Sequence, residues 1–275
     1  MISKNIYSIF KQGSRTYFYS SLFFPPDVKA DVFSLYSFVR TADDFVDQQP
    51  PKKKDFLAFR KEYSEAIRGK KCTNEIIQAF VLVAKKRQFD PKWTETFLDT
   101  MESDLHTVSY ADLTMTERYM YGSAEVIGLM MSNILELPMS ARPFAQKLGR
   151  SMQYVNFIRD ISEDIELGRN YFPQSDMKKY GLKSLEYDHV ARHSIAFAHF
   201  MKAQLKRYQT WQETGKKGYD HIPKRYLIPI KTASDLYNWT ATQIAKDPMV
   251  VYQRKMKPPA VVIALTLLKN IVTIR

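Results

Sequence analysis

One stretch, residues 148–173, constrains the fold and the function of this chain more than any other. It reads LGRSMQYVNFIRDISEDIELGRNYFP and has no proline or glycine from Arg150 to Leu167, so it predicts one helix of about five turns. Four polar side chains would lie within about 80° of one another on that helix: Gln153, Asn156, Asp160 and Asp164. The remaining circumference is mostly apolar, which is typical of a buried helix.

Those polar side chains predict a cation site. A buried carboxylate is costly unless a cation neutralises it, and clustered oxygen ligands suit a hard divalent ion such as Mg2+. The alternative is a solvated helix face, because carboxylates four residues apart are common on surface helices.

A second segment, far away in the sequence, repeats the pattern. Residues 28–47 read VKADVFSLYSFVRTADDFVD and lie between two proline pairs, which predicts another helix. Its polar side chains fall within about 60° of one another: Tyr36, Arg40, Asp43 and Asp47. Two such stripes favour a shared site over coincidence. Facing each other across a cavity, they would need metal ions bound together with a phosphorylated ligand.

Together these segments resemble the squalene/phytoene synthase family. The stretch 148–173 is similar to the second signature of the family at Gly149, Gln153, Asn156, Arg159, Asp160, Asp164, Arg169, Tyr171 and Pro173. ADDFVD (42–47) resembles its first aspartate-rich motif, and SRTYFYSSLFFP (14–25) resembles its diphosphate-binding segment. YMYGSAEVIGLMM (119–131) resembles its first signature, and the likeness covers roughly residues 10–255.

The resemblance implies a fold and a reaction. The fold would be all-α, a single-domain isoprenoid synthase bundle over residues 1–275 with a central active-site cavity. The enzyme would be a prenyltransferase that joins two prenyl diphosphates head to head, through a cyclopropylcarbinyl diphosphate, and releases diphosphate. We expect phytoene from two geranylgeranyl diphosphates, a step of carotenoid biosynthesis, because neither a C-terminal membrane anchor nor a dedicated reductant site is evident.

Two alternatives stay open. One is a squalene or dehydrosqualene synthase that uses two farnesyl diphosphates, and NADPH would be required only by a squalene synthase. The other is a non-catalytic relative that binds prenyl diphosphates. Intact aspartates on both helices argue against the second, since a binding protein could lose them.

The resemblance also assigns roles to individual residues. Mg2+, or alternatively Mn2+, would be held by Asp43, Asp47, Asn156, Asp160 and Asp164. The catalytic set would be Asp43, Asp47, Asp160, Asp164, Tyr119 and Arg159. The substrate would contact Ser14, Arg15, Thr16, Tyr36, Arg40, Gln153, Asn156, Tyr237 and Arg254. Cations would neutralise the leaving diphosphate, and an aromatic cavity would keep water from the allylic cation. Released diphosphate or a tyrosine hydroxyl would accept the proton.

The region 119–137 has only two charged residues, Glu125 and Glu136. A glycine weakens a helix by up to about 1 kcal/mol relative to alanine, so Gly122 and Gly128 predict close helix contact or a ligand. The resemblance implies a wall of the prenyl pocket here. Glu125 departs from the family pattern, in which this position is usually small, so the pocket shape and the accepted chain length stay open.

The net charge of +12 limits the partners. Nucleic acid is not expected, because the chain has no zinc-ligand spacing, RNP-like motif or concentrated basic helix. Attraction to diphosphates and to an anionic membrane surface explains the sign. The single cysteine, Cys72, and the lack of a signal peptide predict a cytoplasmic protein. Residues 260–268 are too short to span a bilayer; they predict a terminal helix that packs on the body or rests on the inner membrane surface.

Overall fold

The computed structural model describes residues 2–106 and 109–274, and most of them lie in helices. The first α-helices in chain order are α1 (Lys4–Gly13), α2 (Arg15–Ser21), α3 (Pro26–Asp47), α4 (Lys53–Ile67), α5 (Glu75–Lys86), α6 (Pro91–Ser103), α7 (Leu113–Met120) and α8 (Val126–Ile134). The others are α9 (Arg142–Arg159), α10 (Ile161–Glu166), α11 (Gln174–Lys179), α12 (Tyr187–Arg192), α13 (Ser194–Lys216), α14 (Lys224–Lys246), α15 (Val250–Gln253) and α16 (Ala260–Thr273).

Short non-α elements complete the described chain. A π-helical turn, Tyr121–Glu125, joins α7 to α8, and 3-10 turns lie at Met139–Ala141 and Lys217–His221. Two short strands, β1 (Ser109–Tyr110) and β2 (Asn170–Pro173), pair in parallel, with Ser109 opposite Asn170. The expectation of an all-α fold is confirmed.

The helix predicted over residues 28–47 is present as α3. Pro26 stands in its first turn, where the missing amide hydrogen costs nothing, and Asp27 complements the helix dipole there. Its apolar face is buried, and Phe38 stacks on Phe80 of α5 with ring centroids 3.9 Å apart. The helix ends at Asp47. Carboxylates in a last turn oppose the helix dipole, so Asp43 and Asp47 require cationic partners.

The single helix predicted over residues 150–167 is broken at Asp160, which corrects that expectation. Asp160 lies between α9 and α10 with φ −101° and ψ 15°. The amide of Asp160 still donates to the carbonyl of Asn156, and that of Asp164 to the carbonyl of Asp160, both at 2.8 Å. Adjacent side chains on a straight helix do not face each other, but here Arg159 donates to Asp160 at 2.8 Å. The bend therefore accompanies an ion pair that helical periodicity does not predict.

Two hydrophobic clusters form the core. One is built around α3, α5 and α6, and the other around α9, β2 and α13, while Tyr17 packs against both. Helix α9 packs closely on its neighbours because glycines stand at the contacts. A Cβ on Gly128 would lie 2.5 Å from the carbonyl oxygen of Ala145, and one on Gly149 would lie 2.6 Å from that of Ala124. The close helix contact expected at Gly128 is confirmed.

The C-terminal helix α16 is longer than the predicted 260–268. It packs against α14, where Asn270 is fully buried and donates to Thr232 Oγ1 at 3.1 Å and to Asp235 at 3.0 Å. Within residues 2–106 and 109–274, every helix is too short or too polar to cross a bilayer.

Candidate active site

The polar stripes of α3 and of α9–α10 line one cavity of about 890 Å3. The structure brings to it all but one of the residues expected at the site: Ser14, Arg15, Thr16, Tyr36, Arg40, Asp43, Asp47, Tyr119, Gln153, Asn156, Arg159, Asp160, Asp164 and Tyr237. Three of them belong to the start of α2, where the Ser14 hydroxyl accepts the Tyr17 amide at 3.3 Å. We call this space the polar cavity.

The α3 side of the polar cavity carries a carboxylate pair held by arginines. Arg40 donates to Asp43 at 3.0 Å, and Arg169, from the loop before β2, donates to Asp47 at 2.6 Å. Burial and then repulsion by Asp47 raise the pKa of Asp43 to about 8, although the charge of Arg40 partly offsets both. Asp43 is therefore short of positive charge even with its arginine in place.

The opposite side of the polar cavity carries the second pair. Burial alone would raise the pKa of Asp160, but the hydrogen bonds and charge of Arg159, and then Lys255, hold it below its usual value. Asp164 behaves differently, because burial and the negative charges of Asp160 and Asp47 raise its pKa well above the usual range. Since Asp47 lies on α3, the two stripes are close enough to repel each other across the cavity.

The donor set of the polar cavity fits a hard cation. Asn156 Oδ1 is buried and has no hydrogen-bond partner in the part of the chain that the structure describes. A buried oxygen without a donor can bind a cation, and with the aspartates it gives the all-oxygen set that Mg2+ prefers. Across residues 2–106 and 109–274, however, no three acidic, histidine or cysteine residues are gathered closely enough to hold a metal alone. A Mg2+ ion would thus be shared with another ligand, as is usual for phosphate-bound Mg2+.

An apolar cavity adjoins the polar one and shares Tyr17, Tyr36, Gln153 and Asn156 with it. Its wall includes Ile127, Gly128 and Met131 of α8, the region expected to form a pocket wall. Several other side chains in the wall are small: Ser20, Ser21, Ala124, Ala141 and Ala145. Small side chains leave room that larger ones would fill, so the space suits an extended hydrocarbon.

Glu125, whose role the sequence left open, does not line either cavity. It is buried and forms an ion pair with Arg150 of α9, whose guanidinium also binds Glu117 at 2.9 Å. Burial raises the pKa of Glu125, and the charge of Arg150 opposes that rise. Glu125 therefore joins the π-helical turn to α9 and leaves the apolar cavity unobstructed.

A buried carboxylate that the sequence reasoning missed lies beside Tyr119. Asp104, at the end of α6, accepts the Tyr119 hydroxyl at 2.6 Å and the Tyr171 hydroxyl at 3.3 Å. A signal was present, because Asp104 stands three and seven residues after Met101 and Phe97, on the buried face of α6. An acidic residue on an apolar helix face is a candidate for a functional role.

The structure differs from expectation at Arg254, which is exposed and is not part of the lining of the polar cavity. Its neighbour Lys255 takes that place, with Nζ 3.2 Å from Asp160 and a second ion pair to Glu163. The segment after α15 is irregular, so helical periodicity cannot tell which of two adjacent basic residues faces the cavity.

Comparison with known proteins identifies a family to which the sequence is similar. The family model described as "Squalene/phytoene synthase" matches residues 10–261. The chain is 26% identical over 238 residues to the 15-cis-phytoene synthase of Pantoea ananas, covering 82% of this chain and 76% of that one. It is 26% identical over 262 residues to the presqualene diphosphate synthase of Zymomonas mobilis, covering 90% of this chain and 86% of that one.

Solved structures show the same fold. A dehydrosqualene synthase in complex with ligand superposes with a TM-score of 0.88 at 20% identity, covering 98% of this chain and 94% of that one. A squalene synthase from Alicyclobacillus acidocaldarius superposes with a TM-score of 0.78 at 18% identity, covering 90% of this chain and 94% of that one. The expected isoprenoid synthase architecture is confirmed.

Proposed function

The chain belongs to the squalene/phytoene synthase family, and we propose that it converts two geranylgeranyl diphosphates into phytoene through prephytoene diphosphate. The coarser reaction is that of the family: a prenyltransferase condenses two prenyl diphosphates head to head. The observation that carries the proposal is the pair of carboxylate stripes across a polar cavity that adjoins an apolar one. Diphosphate groups suit the first space and prenyl chains the second.

The metal ligands in this proposal are Asp43, Asp47, Asn156, Asp160 and Asp164. Bound Mg2+ would neutralise the charge that develops on the leaving diphosphate. The chain's own cations, Arg40, Arg159 and Lys255, hold aspartates in the polar cavity and would exchange part of those contacts for phosphate oxygens. Ser14, Arg15 and Thr16 add donors on the same lining.

Aromatic rings stand where the two cavities meet. Tyr17 and Tyr36 line both spaces, and Tyr17 lies 5.4 Å from the Tyr237 ring, centroid to centroid. The face of an aromatic ring attracts positive charge, and the surrounding apolar wall excludes water. In this proposal the three tyrosines surround the allylic cation, while Gln153 orients the diphosphate end of the substrate.

The C20 substrate is the specific part of the proposal. The apolar cavity, of about 280 Å3, suits a prenyl chain, and the relatives named phytoene synthase favour the longer one. A C15 substrate is the competing candidate, because a 4,4'-diapophytoene synthase from Staphylococcus haemolyticus is 24% identical over 254 residues.

The test uses the purified protein with Mg2+ and either geranylgeranyl or farnesyl diphosphate, with and without NADPH. Extraction and mass analysis should find a C40 hydrocarbon from geranylgeranyl diphosphate alone, formed without NADPH. Faster conversion of farnesyl diphosphate to a C30 product would replace phytoene by the squalene or dehydrosqualene alternative. Binding of both diphosphates without any condensed product would support a non-catalytic relative.

We further propose that the protein works at the cytoplasmic face of a membrane. Four apolar side chains on one face of α16 are 58–61% exposed: Val261, Leu265, Leu268 and Val272. They are spaced for a single stripe along the helix, and Lys269 lies next to it. An exposed apolar stripe with a neighbouring cation suits the interface of an anionic bilayer, which also carries prenyl substrates and products.

A further inference from the structure

Asp104 connects Tyr119 to the rest of the polar cavity through hydrogen bonds. Only 7% of the residue is exposed, and it lines the cavity together with Tyr119. Its Oδ2 accepts the Tyr119 hydroxyl at 2.6 Å, and its Oδ1 accepts the Tyr171 hydroxyl at 3.3 Å. The Tyr171 oxygen in turn accepts Arg169 Nη1 at 3.4 Å, and that nitrogen donates to Asp47 at 2.6 Å.

This geometry fixes the direction of the Tyr119 hydroxyl. Its hydrogen is engaged by Asp104, so toward other groups its oxygen acts as an acceptor, and the Tyr171 hydroxyl is a further hydrogen-bonding neighbour. Burial, and then the negative charge of Asp104, raise the pKa of Tyr119 well above its usual value. Tyr119 therefore stays protonated, and its oxygen takes up a further proton only if its own proton leaves at the same time.

The head-to-head reaction needs such an acceptor, and this inference rests on the proposed function. Closing the three-membered ring of the intermediate removes one proton from carbon. We propose that Asp104 is the positioning residue of Tyr119, holding its hydroxyl and receiving its proton while the Tyr119 oxygen accepts the proton released from the substrate. The C–H bond breaks, its electron pair forms the last carbon–carbon bond of the ring, and Asp104 changes from charged to neutral. The proton then leaves through the polar cavity to released diphosphate or water.

The environment of Asp104 suits this role. Its pKa is raised to about 7, mainly by burial, while the Tyr119 hydrogen bond and the Arg169 charge limit the rise and the charge of Asp47 adds to it. An acceptor whose pKa is near neutral takes up and returns a proton with little cost in either direction.

The variant that tests the proposal is Asp104→Asn in the full-length protein. The amide keeps the shape of the side chain and an oxygen for the Tyr119 hydroxyl, but it does not take up a proton at neutral pH. We expect kcat for condensed product to fall roughly 100-fold, with KM changed by less than about 2-fold. The matched control is Asp176→Asn. That partly buried carboxylate accepts Arg207 at 2.6 Å near Tyr154 and lies outside both cavities, so the kcat of Asp176→Asn should stay near that of the wild type.

A double variant separates this role from simple support of the fold. If both residues act in one step, Asp104→Asn combined with Tyr119→Phe should lose no more kcat than Tyr119→Phe alone. If the kcat losses of the two single variants multiply in the double variant, or if Asp104→Asn stays within about 2-fold of the wild-type kcat, the proposal is overturned.

If the Asp104→Asn protein does not fold, Tyr119→Phe decides, because near-normal turnover without that hydroxyl also overturns the proposal. A wild-type protein that forms no condensed product overturns both this inference and the proposed function, whereas an active wild type with an equally active Asp104→Asn variant removes this inference alone.

Discussion

Asp47 and Asp164 lie on two helices on opposite sides of the polar cavity, close enough that the charge of Asp47 raises the pKa of Asp164. Among the described residues, no cation lies within ion-pair distance of Asp164, whereas Asp47 is bound by Arg169. Counted over residues 2–106 and 109–274, seven acidic side chains line the polar cavity against four arginines and two lysines, so its own cations leave an excess of negative charge. A site with this imbalance is prepared for a cation that arrives with the substrate.

Asp43→Ala should abolish condensation while Asp44→Ala should not. Both carboxylates bind Arg40, at 3.0 and 2.5 Å, but only Asp43 lines the polar cavity. We expect turnover to fall by at least about 1,000-fold for Asp43→Ala and less than about 10-fold for Asp44→Ala. Asp160→Ala should behave like Asp43→Ala. Circular dichroism of each variant checks the fold, and normal turnover of Asp43→Ala would contradict the metal-ligand assignment.

The stability of the metal-free protein should fall as pH rises from about 5 to about 8. The pKa values of Asp43 and Asp104 are raised to about 8 and about 7, mainly by burial, so the folded state binds more protons than the unfolded chain in this range. The free energy of unfolding therefore decreases as these protons are lost. Denaturant titrations at several pH values measure this trend. The Asp104→Asn variant should show a shallower decrease of stability with pH, because one of these carboxylates is gone. A wild-type stability that rises over the same range would contradict the burial of these carboxylates.

A larger residue in the wall of the apolar cavity should change the accepted chain length. Met131 lines that cavity on α8, so Met131→Trp should fill part of it and favour farnesyl over geranylgeranyl diphosphate. We expect the ratio of kcat/KM values for the two substrates to shift by about 10-fold or more. Met115→Trp, at an exposed site on α7, is the control and should leave the ratio unchanged. An unaltered ratio in Met131→Trp would show that prenyl chains do not occupy this cavity.

Removing the apolar stripe of α16 should weaken membrane binding. The double substitution Leu265→Glu and Leu268→Glu puts two negative charges on the exposed stripe without touching Asn270, which holds α16 against α14. In sedimentation with anionic phosphatidylglycerol vesicles, the wild type should be found with the lipid and the double variant in the supernatant. Equal amounts of both proteins on the vesicles would argue against the stripe as a membrane contact. The exposed pair Leu82→Glu and Leu57→Glu serves as a control elsewhere on the surface.

Much of the fold and of the candidate site could be predicted, for identifiable physical reasons. The 3.6-residue period placed Tyr36, Arg40, Asp43 and Asp47 on one side of a helix that the structure contains almost unchanged. Periodicity describes each element separately, so it missed the bend at Asp160. There the helix departs from straight geometry, and Arg159 forms an ion pair with Asp160.

The remaining differences between the sequence-based predictions and the structure arise from contacts between separate elements. The sequence places Asp104 on the apolar face of α6, but its hydrogen bonds form only when α6, α7 and β2 meet and bring two tyrosine hydroxyls to its carboxylate. Lys255 takes the place expected of Arg254 because the irregular segment after α15 turns that side chain to Asp160. Neither contact has a signature in the spacing of residues along the chain.

Calorimetric titration with inorganic diphosphate, in the presence and absence of Mg2+, tests most directly whether the two carboxylate stripes form one site. The repulsion between Asp47 and Asp164 predicts weak or undetectable binding without Mg2+ and at least about 100-fold tighter binding with it. Asp43→Asn and Asp164→Asn, one on each side of the cavity, should each remove most of that gain. Equal affinity with and without Mg2+, or a gain that only one stripe controls, would contradict the shared site on which the proposed reaction depends.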